Sequence, residues 1–304
     1  MVACVPPRSR LIRLVIATRR SPLALTQTGL VADALRAAGH EVDLLEVVTT
    51  GDRWSAAGAE GPVPTRGLFV KELEQALLDG RADLAVHSAK DLPADLPEGL
   101  AVLAVPPRED PRDVLVGHSA GLAGLPTGAM VGTGSPRREA QLRAARPDLG
   151  VVPVRGNVGT RLNLLETGEL DALVLAAAGL NRLGIDRDDI AALDPAVSTP
   201  APGQGLLALE GVPGSAAAAA LAALDDPAAH ACLRAERRLL QALGGGCMQP
   251  VGALASVAGE ALTMVAFAGS EDGLSSRRAH ESGRLDDPEG LADRAAVRLQ
   301  EVRA

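Results

Sequence analysis

The sequence predicts an α/β fold in three domains: two α/β domains in series flanking a cleft, then a small α+β domain at the C-terminal end. Three observations carry this expectation. Short apolar runs alternate with stretches of helical periodicity from residue 11 to residue 175. Prolines at 106, 107 and 111 break that alternation into two series. After Pro227 the pattern changes to a helix, a glycine turn, two strand-like runs and a final helix.

Taken in order, residues 1–11 hold prolines and arginines without an apolar run and read as a disordered lead-in. A mostly apolar strand over 11–17 precedes a helix over 22–38, which Gly39 closes. Another strand spans 41–48. Residues 52–66 have no periodicity and contain Gly58, Gly61, Pro62 and Pro64, a composition that fits a mobile functional loop or a disordered surface insertion. A helix over 68–78, apolar at 69, 73, 76 and 77, leads to a strand over 82–86. The second series places strands near 114–116, 130–132, 151–154 and 172–175, with helices over 135–145 and 158–167. Alanine-rich 215–223 favours a helix over a linker. The last part reads as a helix to 243, a cysteine loop, strands over 251–257 and 261–267, and a helix from 288.

Composition narrows the function. With 304 residues, 47% of them hydrophobic, the chain can bury a sizeable core. A net charge of -8 makes a poor general nucleic-acid binder, and no Tyr, 2 Phe and 1 Trp leave almost no platform for stacked bases. The five histidines are scattered, so no catalytic metal is expected. Cys4, Cys232 and Cys247 form neither a zinc pattern nor a disulfide framework, which fits a reducing cytoplasm. No run approaches the roughly 18 apolar residues of a membrane span.

The chemistry-bearing motifs fall at element ends. Arg19-Arg20-Ser21-Pro22 joins a strand to a helix that Ser21 can cap and Pro22 can begin. Gly132-Thr133-Gly134-Ser135-Pro136-Arg137-Arg138 repeats the design, and Arg155-Gly156-Asn157-Val158-Gly159-Thr160-Arg161 makes a third such turn with Asn157 as its cap. Helix N-termini with adjacent guanidiniums attract anions, so the three turns imply a ligand with several carboxylates or phosphates. A nucleotide phosphate loop competes, but the third glycine and the G-K-[ST] ending are missing. Lys90-Asp91 follows the strand over 82–86, where a carboxylate can steady a cation formed during reaction or simply pair with its neighbour. His87 reads as structural. Gly244-Gly245-Gly246-Cys247-Met248-Gln249-Pro250 presents a thiol on a loop, and locally a reactive cysteine and a packed inert one fit equally.

As a set, these residues resemble the porphobilinogen deaminase family, also called hydroxymethylbilane synthases, from Leu14 to about Leu299. The carriers are Ala17-Thr18-Arg19-Arg20-Ser21-Pro22-Leu23-Ala24, Gly67-Leu68-Phe69-Val70-Lys71-Glu72-Leu73-Glu74, Val86-His87-Ser88-Ala89-Lys90-Asp91, Glu109-Asp110-Pro111-Arg112-Asp113, residues 155–161 and 175–183, and the Gly-Gly-Cys turn. The sequence departs from the family pattern at Arg66, Gly134, Pro136 and Met248.

The resemblance implies two domains like periplasmic binding proteins, assigned to 12–106 with 205–224 and to 107–204, and a third over 227–304. It implies a dipyrromethane cofactor bound to Cys247 through a thioether, and the stepwise deamination and joining of four porphobilinogens in a cytoplasmic monomer of tetrapyrrole biosynthesis. Asp91 and Lys90 match the catalytic positions, with Asp91 holding pyrrole N–H groups and steadying the cation left when ammonia departs. Lys90, Asp91, Ser135, Arg137, Arg138 and Arg161 match cofactor-binding positions. Arg19, Ser21, Thr133, Arg155, Phe69 and Gln204 match substrate-binding ones. The loop over 52–66 is expected to move during elongation. No nucleic-acid or membrane partner is implied. Two other functions remain open at this point: a non-catalytic binding protein for an anionic small molecule, and a nucleotide-dependent transferase.

Overall fold

A computed structural model describes residues 11–52, 69–244, 250–270 and 275–300. The lead-in at 1–10, nearly all of the 52–66 loop and Cys247 therefore lie outside the described residues. The strands β1 (Arg13–Arg19), β2 (Glu41–Val47), β3 (Leu84–Ser88) and β4 (Ala101–Ala104) come first in the chain. Next are β5 (Asp113–Val116), β6 (Met130–Gly132), β7 (Gly150–Val152), β8 (Ala172–Ala176) and β9 (Ile190–Ala192). Then come β10 (Leu207–Gly211), β11 (Val251–Ala258), β12 (Ala261–Gly269) and β13 (Ser276–Arg284).

These strands form two five-stranded sheets and one of three. The first sheet runs β2-β1-β3-β10-β4 and the second β7-β6-β8-β5-β9. The two share one plan. In each, three parallel strands are followed by an antiparallel fourth, and the fifth pairs antiparallel with the fourth. The fourth strand of the first sheet, β10, arrives from beyond the second. The fourth strand of the second, β5, leads into it directly from β4. Residues 105–112 and 193–206 thus cross side by side between the sheets. They are bonded there: Glu109 N donates to Gly205 O at 3.1 Å and Arg108 Nε to Gln204 O at 2.9 Å.

Both faces of the first sheet are covered, which is why its strands read as continuous apolar runs. Leu14, Ile16, Leu84 and Val86 pack on helices Pro22–Ala37 and Ala216–Leu221, while Ala17 and Ala85 face Leu73, Ala76 and Leu77 of helix Lys71–Leu78. The third sheet, β11-β12-β13, is an antiparallel meander with helices Pro227–Ala242 and Pro288–Gln300 on one face. Two α/β sheets and a small α+β C-terminal part are the expected fold class.

Several elements differ from the expectation. β1 and β3 begin and end two residues later, because cross-strand pairing carries them out to Arg19↔Val47 and Leu207↔Ser88. The helix expected over 68–78 is Lys71–Leu78. β4, β9, β10 and β13 have no counterpart in the sequence reading. β13 is an edge strand rich in charge, with Ala279 its buried residue, so it carries no apolar alternation to find.

Candidate active site

Apart from Phe69, Gln204 and Cys247, the expected site residues sit at or just past the carboxyl ends of parallel strands in both sheets, where open α/β sheets bind ligands. Arg19 ends β1, and Ser21 caps the helix that follows, accepting from Ala24 N at 3.3 Å. β3 runs into a 3-10 turn, Ala89–Asp91, which carries Lys90 and Asp91. β6 leads to Thr133 and to Ser135, which caps the helix bearing Arg137 and Arg138; β7 leads to exposed Arg155 and to Arg161, behind Asn157 as cap. The predicted caps, with Pro22 and Pro136 opening their helices, are all present.

Charge links the two sheets. Burial, then the nearby cations Arg138 and Arg137, push the Lys90 ammonium down to about 8 from its ordinary 10.5, against the opposing pull of Asp91 and Asp113. Burial also lowers Arg161, with Arg138 acting in the same direction and Asp91 against it. Four cations, Lys90, Arg137, Arg138 and Arg161, therefore share one electrostatic neighbourhood with two carboxylates, Asp91 and Asp113. The cluster has more positive charge than its own acids neutralise.

Arg137 and Arg138 are not free arms. Both are almost wholly buried, and both donate to Asp113 at 2.7 Å. Burial opposes the charge on Asp113, but the two guanidiniums more than offset this and hold its carboxyl far below the usual range. Asp113 also accepts from Ser198 Oγ at 2.7 Å and Gln204 Nε2 at 3.0 Å. Gln204 is thus engaged in the crossing segments, its Oε1 facing Arg138 at 3.5 Å. Arg19 is likewise engaged: it pairs with Asp52 at 2.5 Å and lies over the Phe69 ring, 4.1 Å from its centre. Thr133 is buried beside the second helix start, its Oγ1 accepting from Ser135 N at 3.3 Å. Arg161 Nε donates to Gly156 O at 2.9 Å. Among the cysteines, Cys232 is a packed thiol, pushed up to about 12 by burial and then by Glu236, and so a poor nucleophile. Among the described residues no group of three His, Cys, Asp or Glu could hold a metal.

Family comparison meets this geometry over nearly its whole length. Residues 14–220 match the family model described as porphobilinogen deaminase, dipyromethane cofactor binding domain, and 230–301 match that of the porphobilinogen deaminase C-terminal domain. The chain belongs to the porphobilinogen deaminase family. It is 48% identical over 298 residues to porphobilinogen deaminase of Acidothermus cellulolyticus, covering 94% of this chain and 88% of that one. Porphobilinogen deaminase of Roseiflexus castenholzii is 48% identical over 290 residues, covering 94% and 95% of the two chains, and that of Stenotrophomonas maltophilia 48% over 291, covering 93% and 95%. Set against membership in this family, the binding-protein alternative is not the better supported reading.

Sequence reasoning left several residues of the deaminase without a role. Asp113 lies in a fully buried strand, and a carboxylate there demands a cation, a signal legible in Asp113-Val114-Leu115-Val116. Glu236 is fully buried and accepts from Arg108 (2.7 Å), Gly203 N (2.6 Å) and Ala255 N (2.8 Å), tying both crossing segments to the C-terminal sheet. Gln27 accepts from Ser88 Oγ at 3.0 Å, joining the first helix to the strand end before Lys90. His87 stands 2.9 Å from buried Glu210 inside the first sheet, the structural place expected of it.

Proposed function

We infer that this enzyme joins four porphobilinogen molecules head to tail, with loss of ammonia at each addition, and releases linear hydroxymethylbilane for tetrapyrrole biosynthesis. What supports this reading beyond family membership is the convergence of Lys90 and Asp91 from one sheet with Arg137, Arg138 and Arg161 from the other. Each pyrrole unit brings two carboxylates, so a chain growing in one cleft calls for several guanidiniums rather than a single clamp.

The excess of positive charge in the cluster fits a dipyrromethane with its acidic side chains. Lys90, Ser135, Arg137, Arg138 and Arg161 would hold those carboxylates, with Cys247 the thioether attachment point. The bound group would supply the pyrrole carbon to which the first unit is added. Asp91, an acceptor only, would take hydrogen bonds from pyrrole N–H groups, and its charge would stabilise the cation formed as ammonia leaves. Lys90, protonated at neutral pH, would bind carboxylate beside it. Arg19, Ser21, Thr133, Arg155, Phe69 and Gln204 are assigned to incoming substrate; of these, Gln204 would act from within the crossing segments. The assignment extends to a cytoplasmic monomer with no nucleic-acid or membrane partner; no described helix is long and apolar enough to cross a membrane. Domains would comprise 12–106 with 205–224, 107–204 and 227–304.

The denatured intact mass of the purified chain tests the covalent reading. The expected result is an excess equal to two linked pyrrole units, lost in Cys247→Ser. A wild-type mass that stays unmodified even after exposure to porphobilinogen or preformed hydroxymethylbilane would refute it. Asp91→Ala is expected to keep that excess mass while losing most turnover, about 100-fold or more for a charge aimed at the forming cation. Near-normal turnover would remove Asp91 from its role.

A further inference from the structure

The C-terminal domain reaches the buried arginine pair through a side chain outside every motif considered above. Arg278 stands on β13 with its guanidinium over the Phe267 ring, 5.0 Å from the ring centre. From there Nη1 donates to Thr199 Oγ1 at 2.6 Å, while Nη2 donates to Gln141 Oε1 at 3.0 Å and to Val197 O at 2.8 Å. Thr199 belongs to the second crossing segment. Gln141 lies one turn beyond Arg137 on the same helix. Both are buried, and they clamp each other: Thr199 N donates to Gln141 Oε1 at 2.8 Å and Gln141 Nε2 to Thr199 O at 3.1 Å. That same Thr199 carbonyl accepts from Arg137.

Arg137 is therefore located by two acceptors, Asp113 on β5 and the Thr199 carbonyl, and the buried Nε of Arg137 has no partner of its own. The position of Thr199 is set from the C-terminal side. Ala253 N of β11 donates to the neighbouring Pro200 O at 2.9 Å, and a Cβ on Gly252 would come within 2.8 Å of Thr199 O, so this sheet lies directly against the segment. Arg278 adds the side-chain link. Its planar fork, braced on an aromatic face, serves three acceptors on two different elements at once, which an ammonium on a flexible stem does not reproduce.

We propose that Arg278 is a positioning residue: through Thr199 and Gln141, the C-terminal domain sets where Arg137 presents its guanidinium to the carboxylates of the bound dipyrromethane and of the chain that grows from it. This rests on the reading of Arg137 as a carboxylate-binding residue. Its consequence is that the docking of the C-terminal domain adjusts carboxylate binding in the cleft between the two larger sheets.

A double-mutant cycle on the cofactor-loaded enzyme tests it, with kcat and KM for porphobilinogen measured separately. Arg278→Met is expected to lower kcat/KM about tenfold, within the range of coupling seen in connected polar networks. In an Arg137→Lys background the same change should cost less than about twofold, because the residue being positioned is already altered. Arg278→Lys is expected to restore only part of the loss, whereas a role limited to charge would be restored in full. If Arg278→Met proves poorly folded, Thr199→Val cuts the same link from the other end and enters the cycle in its place. Equal losses in both backgrounds would overturn the relay and leave the Arg137 reading standing. An Arg137→Lys enzyme with wild-type kcat/KM would remove that reading itself, and the relay with it.

Discussion

Lys90 is one of two lysines in a chain that otherwise uses arginine for its cations. The choice matters, because a guanidinium stays charged in almost any setting while an ammonium responds to burial. With its pKa lowered to about 8, the folded chain binds fewer protons than the unfolded one between about 8 and 10.5. Stability contributed by this group therefore rises with pH across that window, and the cost of burying its charge is present in full below it. Dimethylation with a carbon-13 label gives one resonance each for Lys71 and Lys90. In cofactor-free Cys247→Ser protein the Lys90 signal, identified by its loss in Lys90→Arg, is expected to titrate near 8; a midpoint near the ordinary 10.5 would count against the half-buried, cation-crowded setting. At this scale much was legible. Ser21, Ser135 and Asn157 were read as caps, and Lys90-Asp91 as a strand-end pair, because capping and strand ends are local properties of sequence. The partner of the two arginines was not, since Asp113 precedes Arg137 and Arg138 by more than twenty residues and meets them only after the sheet has formed.

The crossing segments decide how well the Lys90 turn is held. Gly203 adopts φ +78, open to few other residues, and a Cβ there would meet Ala89 C and Lys90 N at 2.8 Å. Gly205 also has positive φ, +86, and packs on the backbone of Glu109. The second crossing segment thus lies directly on the backbone of the Lys90 turn. Gly203→Ala is expected to lower stability by about 2 kcal/mol or more, from the strained backbone together with the clash, and to reduce turnover because the displaced peptide joins Ala89 to Lys90. Urea denaturation with steady-state kinetics checks both; an unchanged midpoint with unchanged turnover would show that the turn does not depend on this contact. These glycines could not be ranked from sequence, where they stand among 33. Nor could β10: its residues are apolar apart from Glu210, and its place between β3 and β4 depends on a pairing across the whole second sheet.

At the scale of the molecule, the repeated plan of the two large sheets was visible only as a rhythm of strands and helices. The strand exchange between them is a long-range fact that no window of sequence contains. It bears on how the chain becomes ordered in time as it leaves the ribosome. When Ala104 has been made, β3 is still an edge and β4 has nothing to pair with, because both wait for β10. Roughly a hundred residues separate β4 from that strand, and closing so long a span is slow whatever its final stability. The second sheet waits for no such segment: all five of its strands lie between Asp113 and Ala192. A fragment ending at Ala104 is accordingly expected to melt without a cooperative transition, and a fragment of residues 105–206 to melt cooperatively, in scanning calorimetry; the reverse pattern would refute this order. The sheet begun first thus closes only after the second one, and its Lys90 turn is completed once the arginine-bearing half has folded to meet it.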